Sequence, residues 1–157
     1  MATFPIMRWL TVTHTQRWHA HHETQGTGPL YQGRFKSFPI AEDEHLLTVI
    51  RYVERNPLRA GRVTRAERWP WSSLCKRRLK EPPRWLLPPG QWPVACRDGW
   101  LPWVNSPQSP RELEAMRECL RRGRPFGNDD WVHRTVKALG MQSTLRPRGR
   151  PKKRAEP

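Results

Sequence analysis

Residues 42–60, "EDEHLLTVIRYVERNPLRA", constrain this chain more than any other stretch. The acidic residues of "AEDEH" suit a helix N-terminus, and the apolar residues that follow recur at helical spacing. At 100° per residue, Leu46, Ile50, Val53 and Pro57 fall in one narrow arc, which marks them as the core stripe. Tyr52 lies roughly 140° from that arc, with His45 and Asn56 on the same flank and Arg59 one turn further. Tyr52 and Asn56 are surface neighbours at i and i+4. A tyrosine there is not needed for packing, so its phenolic oxygen can meet solvent or a ligand beside an amide and a guanidinium. On position alone, an amphipathic boundary tyrosine remains the ordinary reading.

The rest of the chain is organised around that helix. Residues 5–22 read as a helix, although "TVTHT" is rich in β-branched residues. "GTGP" (26–29) is a turn, and "LYQGRFKSFPI" (30–40) suits a strand, with Phe38 and Ile40 on one face. From Trp69 to Pro110 the sequence is dominated by Pro and Trp; aromatic packing against the preceding helices is its ordinary reading, ahead of base stacking. "SPRELEAMRECLRRG" (109–123) is a helix with Ser109 as N-cap, Pro110 at the first position and Gly123 at its end. "NDDWVHRTVKALG" (128–140) is another, capped by Asn128 and stopped by Gly140. The two resemble a helix-turn-helix no more than any helical hairpin does. Residues 141–157 have almost nothing to bury and are expected to be disordered when free.

Charge narrows the function classes. Lys and Arg total 29 against 14 Asp and Glu, a formal net charge of +15. Residues 1–60 carry +2 and residues 61–157 carry +13, so the excess is C-terminal. Such a balance points to a polyanionic partner, nucleic acid above all, because basic side chains release counterions condensed on phosphates. Cys75, Cys96 and Cys119 are odd in number and form no C-x-x-C pair, which argues against a zinc site and a disulfide framework. No apolar run is long enough to span a bilayer and no signal pattern opens the chain, so the expected location is cytoplasmic, with no membrane partner.

"GPLYQGRFKSFPI", "LLTVIRYVERNPLRAGRV" and "WPWSS" together resemble the REP-associated tyrosine transposases, relatives of the single-tyrosine transposases of insertion sequences. The family pattern Tyr-x-x-x-Asn-Pro-x-Arg-Ala-Gly is met by Tyr52, Asn56, Pro57, Arg59, Ala60 and Gly61. The resemblance covers residues 5–75, and the later helices and basic tail look like the family's C-terminal extension. It implies that Tyr52 is a nucleophile that attacks a phosphodiester of single-stranded or hairpin DNA and holds the 5′ end as a phosphotyrosine. It implies a divalent magnesium or manganese at the scissile phosphate, held by a His-hydrophobic-His strand with Asn56 as the candidate third ligand.

In the family that histidine strand lies upstream of "RWLTVTHTQRW", and this chain begins almost on that helix. The letters of "HAH", His19-Ala20-His21, fit the motif, but i and i+2 diverge by about 200° on a helix, so the pair cannot pinch one ion there. The expected fold is therefore α+β: a truncated ferredoxin-like tyrosine-transposase nuclease domain followed by a helical basic C-terminal extension. Expected boundaries are 1–75 for the catalytic part, 76–140 for the Pro/Trp-rich wrap and two-helix extension, and 141–157 for the tail. Activity alone is not expected, though a complementing transposase subunit is a conceivable partner; the alternative is a non-catalytic DNA-binding protein or remnant. Candidate DNA contacts are Arg34, Lys36, Arg59 and the tail residues Arg146, Arg148, Gly149, Arg150, Lys152 and Lys153. Within the tail, Arg148-Gly149-Arg150-Pro151 resembles an AT-hook, narrow enough to enter an A/T minor groove of duplex DNA.

Overall fold

A computed structural model describes residues 3–33 and 35–146 of the chain. The chain divides into two compact units, Met1–Ser37 and Phe38–Pro157. In the first, α1 runs over Thr3–His22. Its β-branched run is accommodated by side-chain bonds back to the preceding turn: Thr11 Oγ1 donates to the Met7 carbonyl and Thr15 Oγ1 to that of Thr11, each at 2.8 Å. Glu23 ends the helix with a positive φ of 53°, and Thr24 N closes on the His19 carbonyl at 3.1 Å. In the following loop the Tyr31 hydroxyl lies 2.6 Å from His14 Nδ1.

The α+β expectation is overturned. Among the described residues there is no strand; every regular element is helical, and one isolated parallel bridge joins Ile40 to Phe126. The stretch 30–40 fails as a strand for a physical reason. Gly33 sits in the left-handed region at φ 84°, which breaks the extended run. Without a described strand beside it, the backbone of 30–40 has no ladder to join, and extended chain without a ladder gains nothing over loop. What survives is local: Phe126 N donates to the Pro39 carbonyl and Ala41 N to the Phe126 carbonyl, both at 2.9 Å.

The second unit contains α2 (Glu44–Arg59), α3 (Ser73–Arg77), α4 (Trp100–Asn105), α5 (Pro110–Arg122) and α6 (Asp129–Leu139). The capping signals read from sequence hold. Ser109 and Glu112 form a reciprocal capping box on α5, and Asn128 accepts from Trp131 N at 2.9 Å on α6. Gly123 and Gly140 end these helices in the left-handed conformation. A short 3₁₀ turn follows at Gln142–Thr144, within the stretch expected to be disordered.

Helix α2 packs against α4 and against a 3₁₀ turn at Ala66–Arg68. Ala66, Leu74 and Val104 form a small apolar core, with Leu58, Trp100 and Leu101 around it. The face of α2 that is buried differs from the expected stripe. Leu47, Arg51 and Glu54 are buried, whereas Val53 is 57% exposed. Positions 47, 51, 54 and 58 repeat at i, i+4, i+7 and i+11, which is as good a helical stripe as the apolar one. It wins because the two charged residues find a full set of partners.

Those partners come from the Pro/Trp-rich segment. Arg51, 3% exposed, donates from Nε to the Trp103 carbonyl at 2.9 Å and from NH2 to the Ser106 and Pro107 carbonyls at 3.0 and 3.1 Å. Its NH1 pairs with Glu112 Oε1 at 3.2 Å, and its guanidinium lies 4.5 Å from the centre of the Trp103 ring. Burial lowers the Arg51 pKa from its ordinary value, and Glu112 opposes that shift. Glu54 accepts from Ser73 Oγ and Trp100 Nε1, each at 2.9 Å, and pairs with Arg77. Trp92, Trp100 and Trp103 add edge-to-face contacts with centroids 5.2 Å apart. The wrap is thus pinned to α2 by charge-assisted hydrogen bonds as much as by aromatic packing.

Candidate functional site

The outer face of α2 carries the residues singled out from the sequence. The helix is firmly bounded at both ends. Asp43 caps it, accepting from His45 N at 2.8 Å and pairing with His45 Nδ1 at 2.7 Å. At the other end, Gly61 N donates to Leu58 O at 3.0 Å and Arg62 N to Pro57 O at 2.9 Å, with Gly61 at φ 65°. That is a Schellman motif, and it explains why "RNPLRAG" closes on glycine. Pro57 sits in the last turn, where its missing N–H leaves only the Val53 carbonyl without an intrahelical donor.

Between these boundaries, Tyr52, Asn56 and Arg59 lie one above another at i, i+4 and i+7. The Arg59 guanidinium is 4.4 Å from the centre of the Tyr52 ring, and its NH2 donates to the Tyr52 hydroxyl at 3.1 Å and to Asn56 Oδ1. Asn56 and Arg59 are exposed and Tyr52 half-buried. Arg55, one residue before Asn56, turns inward and donates to the carbonyls of Val104 and Asn105, at 3.0 and 2.5 Å. Burial lowers the Arg55 pKa, and the Arg59 cation adds to the shift. The corner is therefore cationic, with a phenol and an amide under one guanidinium.

This arrangement does not fit the divalent metal that the resemblance implies. Asn56 Oδ1, the candidate ligand, already accepts from a guanidinium, and a second cation at that oxygen would be repelled by the first. Among the described residues no group of three or more His, Cys, Asp or Glu is placed to hold an ion. His19, His21 and His22 crowd the last turn of α1, where His19 Nδ1 meets Thr24 Oγ1 at 2.8 Å and the His21 and His22 rings meet edge to face. Asn56 is thus a partner of Arg59 rather than a metal ligand in this structure.

Lys36 is exposed in the first unit. Arg146 is exposed, and its carbonyl accepts from Arg122. Arg34, Arg148, Gly149, Arg150, Lys152 and Lys153, and with them the AT-hook reading, lie outside the described residues. Cys75 and Cys96 are partly exposed and Cys119 buried, all as free thiols, and burial pushes the Cys96 and Cys119 pKa values up. No helix among the described residues is long and apolar enough to cross a membrane.

Sequence reasoning missed Arg51 and Glu54. Their signal was present as opposite charges at i and i+3 on one helix face, followed by a segment rich in indole donors. No family model, curated protein or solved structure matches this chain.

Proposed function

We propose that this chain is a DNA-binding protein of the tyrosine-transposase kind that presents Tyr52, Asn56 and Arg59 to the phosphate backbone of single-stranded or hairpin DNA and does not cleave it unaided. The observation that carries this reading is the Arg59 guanidinium held over Tyr52, within 3.1 Å of its hydroxyl, on the exposed face of α2. A guanidinium has five donors, so Arg59 can keep its bond to Asn56 and still meet a phosphate oxygen. The Tyr52 hydroxyl is a second donor beside it. The net charge of +15 supplies the long-range attraction, and Arg146, Arg148, Arg150, Lys152 and Lys153 would add phosphate contacts. In Arg148-Gly149-Arg150-Pro151 the tail also has the chemistry to prefer A/T duplex.

Because the corner does not fit a divalent ion, no strand-cleavage step is assigned to it. A second reading, Tyr52 as a nucleophile completed by another transposase subunit, draws on the placement of its hydroxyl at the helix surface. The test is a labelled hairpin DNA incubated with the chain and magnesium or manganese, read by anisotropy and on a denaturing gel. The expected result is binding that weakens in Arg59→Ala, with no covalent band. A denaturation-resistant band that Tyr52→Phe abolishes would establish the nucleophile and overturn the non-catalytic reading.

A further inference from the structure

Trp71 and Trp85 are 80% and 79% exposed, more than any other large apolar side chain described. Trp92, Trp100 and Trp103 contact other rings or guanidinium groups, whereas neither Trp71 nor Trp85 has an aromatic, cation–π or side-chain hydrogen-bond partner among the described residues. Leaving two indoles in water forgoes the burial that holds the rest of the wrap together. The segment between them is strongly basic. Residues 71–85 contain five Lys or Arg and one acidic residue, Glu81. One of the five, Arg77, is turned inward to the buried Glu54; Arg78, Lys80 and Arg84 are exposed, and Lys76 is half-exposed.

Both rings are carried on stiff backbone. Ser72, next to Trp71, caps α3 by accepting from Cys75 N at 3.0 Å, and its own N–H donates to the Trp69 carbonyl at 3.1 Å. Two residues on, Leu74 is 4% exposed and anchored in the core. Trp85 sits in a turn closed by Leu86 N to Pro83 O at 2.9 Å, between the Pro82-Pro83 and Pro88-Pro89 pairs. Proline fixes backbone torsions in advance, so little conformational freedom is lost when such a ring is covered.

We infer that Trp71 and Trp85, with Lys76, Arg78, Lys80 and Arg84, form a base-stacking surface for single-stranded nucleic acid. Exposed indoles offer a π-face to any base, and the cations between them offer phosphate contacts; together these are the two components of sequence-tolerant single-strand binding. A duplex hides its base faces, so it can use only the cations. A protein partner is disfavoured by the lysines, which interface cores exclude. The inference rests on the nucleic-acid reading above but assigns a different surface, independent of Tyr52.

The experiment measures binding of the full chain to a fluorescent oligothymidine strand and to a duplex at fixed salt. Trp71→Ala and Trp85→Ala should each weaken strand binding about 5- to 150-fold, with duplex affinity and the slope of log K against log salt unchanged. Trp71→Phe and Trp85→Phe keep an aromatic face and should restore most of the affinity, which separates stacking from misfolding. Alanine variants that bind the strand like the parent, or that weaken on strand and duplex equally, would overturn the stacking surface while leaving DNA binding intact. A change of oligomeric state in the alanine variants would assign the rings to a protein contact and also overturn it. A parent chain that binds neither probe would overturn the nucleic-acid reading itself.

Discussion

Replacing Glu54 by glutamine tests whether a buried ion pair, rather than the apolar stripe, locks α2 to the wrap. Glu54 is 1% exposed and takes three donors: Ser73 Oγ, Trp100 Nε1 and the Arg77 guanidinium. Glutamine has the same shape but a single acceptor oxygen, and its amide would face a donor wherever it points. If the oxygen stays with Trp100, the amide opposes the Arg77 guanidinium, while the Ser73 hydroxyl can turn to accept from it; if it flips, the indole N–H is orphaned. One unsatisfied buried donor costs about 1–3 kcal/mol. The Arg77 side chain is only 12% exposed and loses its counter-charge in either case. Breaking a buried pair from one side costs about 3–5 kcal/mol, so about 3–4 kcal/mol is expected after the partial exposure of Arg77 is allowed for. That is a large share of the roughly 5–15 kcal/mol of a typical domain. For a unit of this size it lowers the midpoint by about 12–16 °C. The assay is thermal unfolding followed by far-ultraviolet circular dichroism, with Glu54→Gln/Arg77→Met as the companion variant. Recovery of much of the stability in the double variant is expected. A single variant within about 0.5 kcal/mol of the parent would refute the reasoning, because surface substitutions alone stay in that range.

Other perturbations follow from the same geometry. Burial raises the Glu67 carboxyl, but hydrogen bonds from Asn105 and then Arg65 outweigh it and bring its pKa from 4.5 down to about 2. A depressed folded-state pKa stabilises above the unfolded value, so this contribution should be complete above about pH 5 and lost as pH falls from 4.5 towards 2. The expected decrease is about 1–2 kcal/mol, discounted because Arg65 is 52% exposed, and acid titration of Glu67→Gln, which should lack that component, checks it. At Gly127 an added Cβ would lie 2.5 Å from Trp131 Cε3 and 3.0 Å from Ala41 Cβ. Gly127→Ala should therefore cost about 1–3 kcal/mol in urea unfolding, whereas Gly90→Ala, which meets nothing within 4 Å, should not. Deleting residues 146–154 removes six basic side chains. If about half of them contact phosphates, the salt dependence of duplex binding should flatten by about three units.

Local signals are legible where a single residue type decides the backbone. Ser109, Gly123, Asn128 and Gly140 bound their helices as expected, because caps depend on one side chain or one positive φ. The stretch 30–40 departs from expectation because a strand exists only with a partner, and alternation says nothing about whether one is present. The core face of α2 departs from it because hydrophobicity is an incomplete marker of burial. Arg51 and Glu54 lie inside since Ser73, Arg77, Trp100, Trp103 and Ser106 satisfy them, and those partners lie 19 to 55 residues away. At the candidate site, helix arithmetic places Tyr52, Asn56 and Arg59 on one face correctly. It does not show that the guanidinium occupies the amide oxygen, since rotamer choice is invisible to spacing.

The most direct test of the Tyr52 corner is the salt dependence of hairpin-DNA binding for the parent chain and for Arg59→Ala. Removing one phosphate-neutralising cation should reduce the slope of log K against log salt by about 0.7 to 0.9. If Arg59 meets one phosphate, Arg59→Ala should flatten the slope by about that amount, and Tyr52→Phe should weaken binding while leaving the slope unchanged. An Arg59→Ala chain with the parent's slope and affinity would contradict the account, because the cation over Tyr52 would then serve only the helix that carries it.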